Sequence, residues 1–356
     1  MKITSFEKKK YVAPKTKKTL KDIFWTIIFP IIGMLVIGLG TVKSGLPLFS
    51  NSVILNNILI TMITVLIACF ALNTNLNSGR MDFSIGAVGI LACVIAWQIL
   101  PNKAGEMFPL YFLLTSIALG IVLGLVSGLI FTTLKVPAIV VSLGACLVFE
   151  GIANALTLGS GSIEMKPEIA PGLYGFITNP WFMASIVILL CVFMLLTLKY
   201  SKFGHDKLSL LFGQKVAVDT GVNEVKNALA CYALAGGLIA IFTFITSINL
   251  NKINISVNLG SAMTVMANFL PIFLGGLIAK HSNEVVGLLL GVFSVTLFKD
   301  GLVRFGVSDS TINLITSILI FVILTYMVNW QNWVNLIKNK IKNYKAKKYE
   351  LKKEEE

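Results

Sequence analysis

The sequence predicts an all-α polytopic membrane protein with about ten transmembrane helices in two weakly repeated halves. Composition is the first reason: 56% of the 356 residues are hydrophobic and 13% are charged, whereas soluble domains carry about 25% charged residues. Second, long apolar segments recur along the chain, which has a mean hydropathy of +0.83. Third, the charged residues are concentrated between those segments and in the two tails. Together these observations exclude a soluble domain.

Each apolar segment is long enough to cross a bilayer, because the hydrocarbon layer is ~30 Å thick and an α-helix rises ~1.5 Å per residue. The third segment is short and interrupted by glycine, the fifth opens on Pro137 and the eighth contains Pro271, so a broken or re-entrant helix fits each of them. The segments define a membrane domain at residues 23–330, between polar tails at 1–22 and 331–356. The predicted spans are residues 23–41, 53–73, 83–100, 109–134, 136–158, 180–198, 227–249, 261–279, 284–303 and 311–330.

The positive charges predict how these spans are oriented. If the N-terminus is cytoplasmic, 24 of the 30 lysine and arginine residues lie in cytoplasmic segments and 6 lie outside. Cytoplasmic segments of membrane proteins carry an excess of these two residues. We therefore expect a multi-pass protein of a bacterial cell membrane with both termini in the cytoplasm.

The net charge of +13 does not indicate nucleic-acid binding, because the basic residues are spread over the tails and connections. We expect the lysine-rich tails to meet membrane lipids, whose anionic headgroups attract each lysine by ~1 kcal/mol. The five cysteines all fall within apolar segments and form no CxxC pair. Such cysteines behave as small hydrophobic residues, so we expect neither a metal site nor disulfides.

Three connections are longer than a turn. The cytoplasmic loop at 199–226 contains enough large apolar side chains to dock onto a partner protein, although a helix lying on the lipid headgroups has the same composition. The external loop at 159–179 is rich in Gly and Pro and is either a structured cap or disordered, and a shorter external loop follows at 250–260. Residues 72–90 and 275–291 both place a polar, glycine-containing stretch between two spans, which is typical of transporter repeats.

Few polar side chains occur in or beside the spans, and no P-loop, HExxH, GxSxG or GxGxxG motif is present, so we expect no catalytic residues. Ionisable residues within spans are costly and suggest function. Two interpretations of Asp82, Arg80 and Ser84 are open. The three residues border a substrate path, or Arg80 and Asp82 form an ion pair that holds a loop at the membrane edge. Glu150 and Asn154 share one helix face, and this patch either lines the path or is hydrogen-bonded within the bundle.

Four motifs between residues 50 and 330 occur in the order and spacing of one transporter family. The most specific is Gly79–Ala87, reading GRMDFSIGA, which resembles a GGIDLSVGS element with Arg80 at its second glycine. The others resemble [KR][IV]P-x-[FI][IV]-x-TLG, the pair FGR and SGIN, and NNGLNLLGV; they are residues 135–144, Phe203-Gly204 with Gly221-Val222-Asn223, and residues 298–307. The family is that of permease subunits from the ribose-type, or carbohydrate-uptake, branch of ABC importers.

The resemblance implies a type II-like ABC importer permease that forms the translocation path for a monosaccharide. Such permeases act in pairs, so a second copy or a homologous permease is implied. An external or periplasmic sugar-binding protein and a cytoplasmic ATP-binding subunit are also implied, with ATP and Mg held by the ATP-binding subunit and no cofactor held by this chain. The implied substrate-path candidates are Asp82, Ser84, Gly86, Glu150 and Asn154. The implied ATPase-coupling candidates are Phe203, Gly204, Phe212, Gly221, Val222 and Asn223.

Three alternatives remain open at this point. A nucleoside-type ABC permease has the same architecture. A proton- or sodium-coupled secondary carrier needs an acid within the membrane, for which Glu150 is the candidate. A membrane scaffold without transport activity would require none of these motifs.

Overall fold

The computed structural model describes residues 20–354 apart from 46–51, 77, 102–104, 106, 135 and 166–169. Nearly all of the predicted tail at 1–22 lies outside the described residues, as do Asn77 of the stretch at 72–90 and Lys135 of the motif at 135–144. The helices are α1 (Leu20–Ser44), α2 (Ser52–Leu76), α3 (Ile85–Ile99), α4 (Phe108–Leu134), α5 (Ala138–Leu156), α6 (Ala170–Thr178), α7 (Pro180–Leu195), α8 (Lys202–Asp219), α9 (Glu224–Asn249), α10 (Gly260–Met266), α11 (Phe269–Ala279), α12 (Glu284–Arg304) and α13 (Asp309–Glu354).

The all-α polytopic fold is confirmed. Among the described residues, nine helical segments are long and apolar enough to cross a membrane. The predicted third span differs, since α3 has only 15 residues and a length of about 22 Å, too short to cross the hydrocarbon layer alone. The non-helical segment before α3 must therefore supply the remaining depth.

The core lies between α2, α3, α4 and α9, whose facing side chains include the fully buried Phe70, Phe112 and Phe244. Helices α4 and α9 pack closely because glycines face each other, so that a Cβ on Gly120 or Gly236 would meet the opposing backbone. The outer faces of α1, α7 and α13 expose large apolar side chains instead. An apolar interior with an equally apolar exterior is what a bundle surrounded by lipid requires.

The eighth predicted span is broken, but not where the sequence suggested. Helices α10 and α11 are separated at Ala267 and Asn268, before Pro271 rather than at it. Pro271 lies within the first turn of α11, where its missing N–H costs nothing. The polar stretch at 275–291, which we expected to interrupt the second half, is the end of α11, a short turn and the start of α12.

The connection at 199–226 is mostly helical. A π-helical turn at Leu196–Tyr200 leads into α8, which is kinked at Gly213. Helix α8 lies at the same end of the bundle as the last turn of α2 and the first turns of α9 and α12, and we call this the α8 end. Both interpretations of this connection as a docking or headgroup helix are compatible with that position.

A two-stranded ribbon covers the opposite end, which we call the ribbon end. Strand β1 (Ser162–Glu164) pairs antiparallel with β2 (Lys252–Asn254), with Ile163 opposite Ile253. The predicted external loops 159–179 and 250–260 thus join each other, and the described part of the first is a structured cap. At the C-terminus, α13 continues beyond the predicted span end at residue 330 to Glu354, so the described part of that tail is helical.

Candidate functional site

The non-helical segment between α2 and α3, residues 78–84, is buried for most of its length within the bundle. The carbonyl oxygen of Asn75 accepts the N–H groups of both Ser78 and Arg80, at 3.1 Å each, which ends α2 and turns the chain back inward. The side chains of Ser78, Arg80, Asp82 and Ser84 are all buried. Non-helical backbone is tolerated at membrane depth only where protein or a cavity surrounds it, and this segment meets that condition.

Asp82 fixes the conformation of this segment. Its Oδ1 accepts the Ser84 N–H at 2.9 Å and the Ser84 hydroxyl at 2.6 Å, and its Oδ2 accepts the Asn75 amide at 3.1 Å. The Ser84 hydroxyl also lies 3.4 Å from that of Ser127 on α4. A short polar side chain that accepts a hydrogen bond from the backbone N–H two residues later commonly stabilises a turn. Asp82 and Ser84 therefore position the first turn of α3.

The predicted Arg80–Asp82 pair is wrong. Arg80 Nη2 lies 3.9 Å from Glu224 Oε1 at the start of α9, and the Asp82 carboxylate is occupied by the three donors named above. The Arg80 guanidinium is buried, and its Nη1 has no hydrogen-bond partner in the described part of the chain. Arg80 thus links the segment to α9, and its Nη1 is a buried donor.

A cavity of about 210 Å³ lies near the ribbon end, between α3, α9, α10 and β2. We call it the ribbon-end cavity. Gly86, a predicted path residue, forms part of its wall, and a Cβ at this position would lie 2.5 Å from the Ser261 carbonyl oxygen. Glycine is therefore required where α3 crosses the start of α10. The polar lining residues are Thr243, Thr246, Ser247, Lys252, Asn254, Ser256, Ser261 and Thr264.

Sequence reasoning did not single out these hydroxyls. Serine and threonine within apolar helices are common, and their hydroxyls often donate to a backbone carbonyl oxygen one turn back, as Thr243 does to Ile239. The available signal was the spacing of Thr243 and Ser247, which lie four residues apart on one face of α9. That spacing alone does not distinguish a polar cavity from a helix contact.

Glu150 is buried and holds α10 in place. Its Oε2 accepts the Leu259 N–H at 2.9 Å and its Oε1 accepts the Ser261 N–H at 2.8 Å. Leu259 has a left-handed backbone conformation, with φ of +65°. The carboxylate thus satisfies donors that the start of a helix leaves free. Asn154 lies one turn further along α5, where its carbonyl oxygen accepts the Gly159 N–H at 2.9 Å.

A second cavity, of about 740 Å³, opens at the α8 end, and we call it the α8-end cavity. Ser78, Gly79 and Arg80 contribute to its wall, with the start of α5 and the middle of α8 opposite. The segment at 78–86 therefore borders both cavities, because Gly86 faces the ribbon-end cavity. Along the chain, residues 81–85 lie between the residues that line the two cavities, and they include the buried Asp82 with its hydrogen-bond partner Ser84.

The predicted coupling residues all lie in α8 or in the turn after it. Phe212 is 82% exposed at the kink, which is unusual for an aromatic side chain without a binding partner. Gly204 is buried against the carbonyl oxygen of Leu198, and the Phe203 carbonyl oxygen accepts the Asn227 amide at 3.2 Å.

The turn after α8 depends on the other three predicted residues. Gly221 has φ of +95°, which favours glycine. The Val222 N–H bonds to the Ala217 carbonyl oxygen at 3.0 Å, and the Asn223 side chain caps α9 by accepting the Lys226 N–H at 2.9 Å. The structure therefore gives these residues clear roles in holding α8 against α9.

Comparison with known proteins gives the family. The profile of the branched-chain amino acid transport system permease component family matches residues 53–328. The chain belongs to this permease family. The match covers every membrane-spanning helix except α1, and it confirms that the four motifs identify a permease.

The curated proteins that resemble the chain in sequence include import permeases. The chain is 25% identical over 222 residues to the autoinducer 2 import system permease protein LsrC of Escherichia coli O9:H4 (strain HS), covering 61% of this chain and 62% of that protein. It is 27% identical over 223 residues to the LsrC proteins of Salmonella paratyphi B and Salmonella typhimurium, covering 61% of each chain. The chain thus matches less than two thirds of the length of these relatives. No solved structure matches the chain significantly.

Proposed function

We propose that this chain is the permease subunit of an ABC importer and that it passes a small sugar-like molecule across the membrane. The observation that carries the proposal is the segment at 78–86, which borders a cavity at each end of the bundle. A transporter needs such a barrier between two compartments, and the irregular backbone of broken helices is where transporters place it. The similarity to import permeases supports the same function.

The lining of the ribbon-end cavity supports a sugar rather than a branched-chain amino acid. Hydroxyl and amide groups dominate its polar surface, and these donate to and accept from sugar hydroxyls. Among the described residues that line it, Lys252 on β2 is the ionisable one, and none of them carries an acid to bind an amino group. At about 210 Å³ it is smaller than the roughly 300–1,000 Å³ of pockets for drug-sized ligands, which suits one ring.

Within that class, a ribose-type monosaccharide is our first candidate, on the motif at residues 79–87. Furanosides of the autoinducer 2 kind are supported by the relatives, which import that molecule. A nucleoside would need room for a base beside the sugar. The ribbon-end cavity would have to widen for it.

The charge distribution supports an orientation with the α8 end and both termini in the cytoplasm. Most lysine and arginine residues fall in segments that meet this end, and such residues accumulate on the cytoplasmic side. The ribbon-end cavity then faces outward, where a sugar-binding protein would deliver the substrate over the ribbon. Membrane lipids surround the exposed apolar faces.

Helix α8 is the proposed docking element for a cytoplasmic ATP-binding subunit, which holds ATP and Mg. Phe212 and Val216 are 82% and 68% exposed and lie on either side of the kink at Gly213. Exposed apolar side chains of this size are typical of a surface that binds another protein. A second permease, either another copy or a homologue, would complete the transporter in the membrane.

An ion-coupled carrier using Glu150 is less well supported. A coupling acid must exchange its ion with one compartment at a time, whereas both Glu150 oxygens accept backbone N–H groups at the start of α10. These bonds give the carboxylate a structural role at the start of α10. Glu150 then contributes to the path by holding Ser261 in the cavity wall.

The proposal is tested by uptake into proteoliposomes that contain the chain with its ATP-binding subunit and partner permease. With ATP on the α8 side and the binding protein on the other, we expect uptake of ribose or a related furanoside and none of leucine. Uptake of nucleosides but not free sugars would move the substrate to the nucleoside class. Leucine uptake without sugar uptake would contradict the proposal.

A further inference from the structure

Two acidic side chains connect α8 to the transmembrane bundle. Glu224, at the start of α9, accepts a hydrogen bond from the Gln214 amide of α8 at 2.7 Å through the same Oε1 that lies 3.9 Å from Arg80 Nη2. One carboxylate oxygen therefore joins α8 to the segment that separates the two cavities. Gln214 follows Gly213, the kink in α8, and it is exposed.

The second acid is Glu284 at the start of α12. Its Oε1 lies 3.5 Å from Lys207 Nζ of α8 and 2.5 Å from the Asn73 amide near the end of α2. Lys207 is only 4% exposed although it belongs to a surface helix, so its charge is buried against the bundle. This arrangement joins α8 to the last turn of α2, where the chain turns inward toward Arg80.

The two acids contact residues on either side of the turn that ends α2. Asn73 precedes the turn that ends α2, and Arg80 follows it, with the Asn75 carbonyl oxygen holding both ends of the turn together. Each acid therefore contacts both the segment at 73–80 and helix α8. Neither acid belongs to a motif used to assign the family, and neither contacts the ribbon-end cavity.

We propose that Glu224 and Glu284 are positioning residues that transmit movement of α8 to the segment between the cavities. This role rests on the proposed function, in which an ATP-binding subunit moves α8. When α8 shifts, the Lys207 ammonium must keep its buried counter-charge, so α12 and the end of α2 follow it. Gln214 moves with α8, and its hydrogen bond displaces the Glu224 carboxylate. The distance between Glu224 and Arg80 then changes. The free donor at Arg80 Nη1 is then available for a partner in the shifted arrangement.

The alternative is that both acids only attach α8 to the bundle. The two roles differ in what is lost on substitution. Loss of attachment weakens assembly with the ATP-binding subunit, whereas loss of transmission leaves assembly intact and lets ATP be hydrolysed without transport. Coupling between two sites in a protein typically changes a binding affinity by about 5- to 150-fold. A loss of transmission of that size in substrate imported per ATP is large enough to measure.

The experiment compares Glu224→Gln and Glu284→Gln with the unaltered chain in proteoliposomes with the full complex. The measured quantity is substrate imported per ATP hydrolysed, alongside co-purification of the ATP-binding subunit. Asp300→Asn is the matched control, because Asp300 lies on α12 like Glu284 but pairs with Arg304 at the ribbon end. We expect each glutamine variant to import about fivefold less substrate per ATP or lower, with co-purification unchanged and the control unaffected.

A double variant guards against loss of folding in the Glu284 substitution, which leaves the buried Lys207 charge unopposed. Exchanging the charges, with Lys207→Glu and Glu284→Lys, restores the pair and should restore most of the import per ATP. Unchanged import per ATP in both glutamine variants would overturn the proposal, and so would loss of co-purification that fully accounts for the defect. Absence of ATP-driven uptake by the unaltered complex would instead overturn the proposed function on which this role rests.

Discussion

Replacing Glu150 tests how the wall of the ribbon-end cavity is built. In Glu150→Ala, two N–H groups at the start of α10 lose their acceptor. The Ser261 N–H is buried, and leaving a buried donor unsatisfied costs about 1–3 kcal/mol. The Leu259 N–H is partly accessible, so we assign it the net value of an ordinary hydrogen bond, about 0.5–1.5 kcal/mol. The sum is about 1.5–4.5 kcal/mol, a large fraction of the 5–15 kcal/mol typical of folded domains.

Glu150→Gln separates structure from charge. Glutamine keeps one carbonyl oxygen for one of the two N–H groups, but its amide NH₂ faces the other donor. We therefore expect a loss of about 1–3 kcal/mol, smaller than for alanine. In the ion-coupled carrier, by contrast, glutamine should abolish transport whatever its effect on stability.

The assay is thermal unfolding of the purified variants in detergent, followed by ATP-driven uptake. Glu164→Ala is the control, because Glu164 lies exposed on β1 and a surface substitution changes stability by no more than about 0.5 kcal/mol. The expected order of unfolding midpoints is the unaltered chain with Glu164→Ala, then Glu150→Gln, then Glu150→Ala. A Glu150→Ala midpoint equal to that of the control would refute the capping role.

Two further predictions concern the barrier and the docking helix. Gly86→Ala places a Cβ 2.5 Å from the Ser261 carbonyl oxygen and should lower uptake at least tenfold while the protein still inserts, whereas Gly38→Ala in α1, where no atom lies within 4 Å, should leave uptake unchanged. Phe212→Asp should abolish stimulation of the ATP-binding subunit without lowering the unfolding midpoint, because Phe212 is 82% exposed. Retained stimulation would show that α8 docks elsewhere.

The sequence was sufficient for those features that depend on local pattern. Apolar length and charge distribution predicted the membrane helices, and the resemblance of residues 79–87 to a family motif implied that Asp82, Ser84 and Gly86 border the substrate path. The third span was harder to predict, because the apolar run at 83–100 includes residues that the structure leaves in the non-helical segment before α3. Length on a hydropathy profile does not distinguish a helix from buried irregular backbone.

The missed contacts join residues that are distant along the chain. Glu150 is 109 and 111 residues from the two N–H groups that it accepts, and Lys207 is 77 residues from Glu284. Arg80 and Asp82 are close along the chain, but the turn directs them to different partners. The ribbon was missed for a similar reason, since its two strands of three residues each come from loops about 90 residues apart, and neither carries a strand pattern of its own.

The most direct test of the central claim is the energy source of transport. In proteoliposomes with the full complex, we measure uptake of the accepted sugar once with ATP on the α8 side and no ion gradient, and once with a proton or sodium gradient and no ATP. We predict uptake only with ATP, and its loss when the ATP-binding subunit is omitted. Uptake driven by the gradient alone would contradict the account, because the permease would then be an ion-coupled carrier.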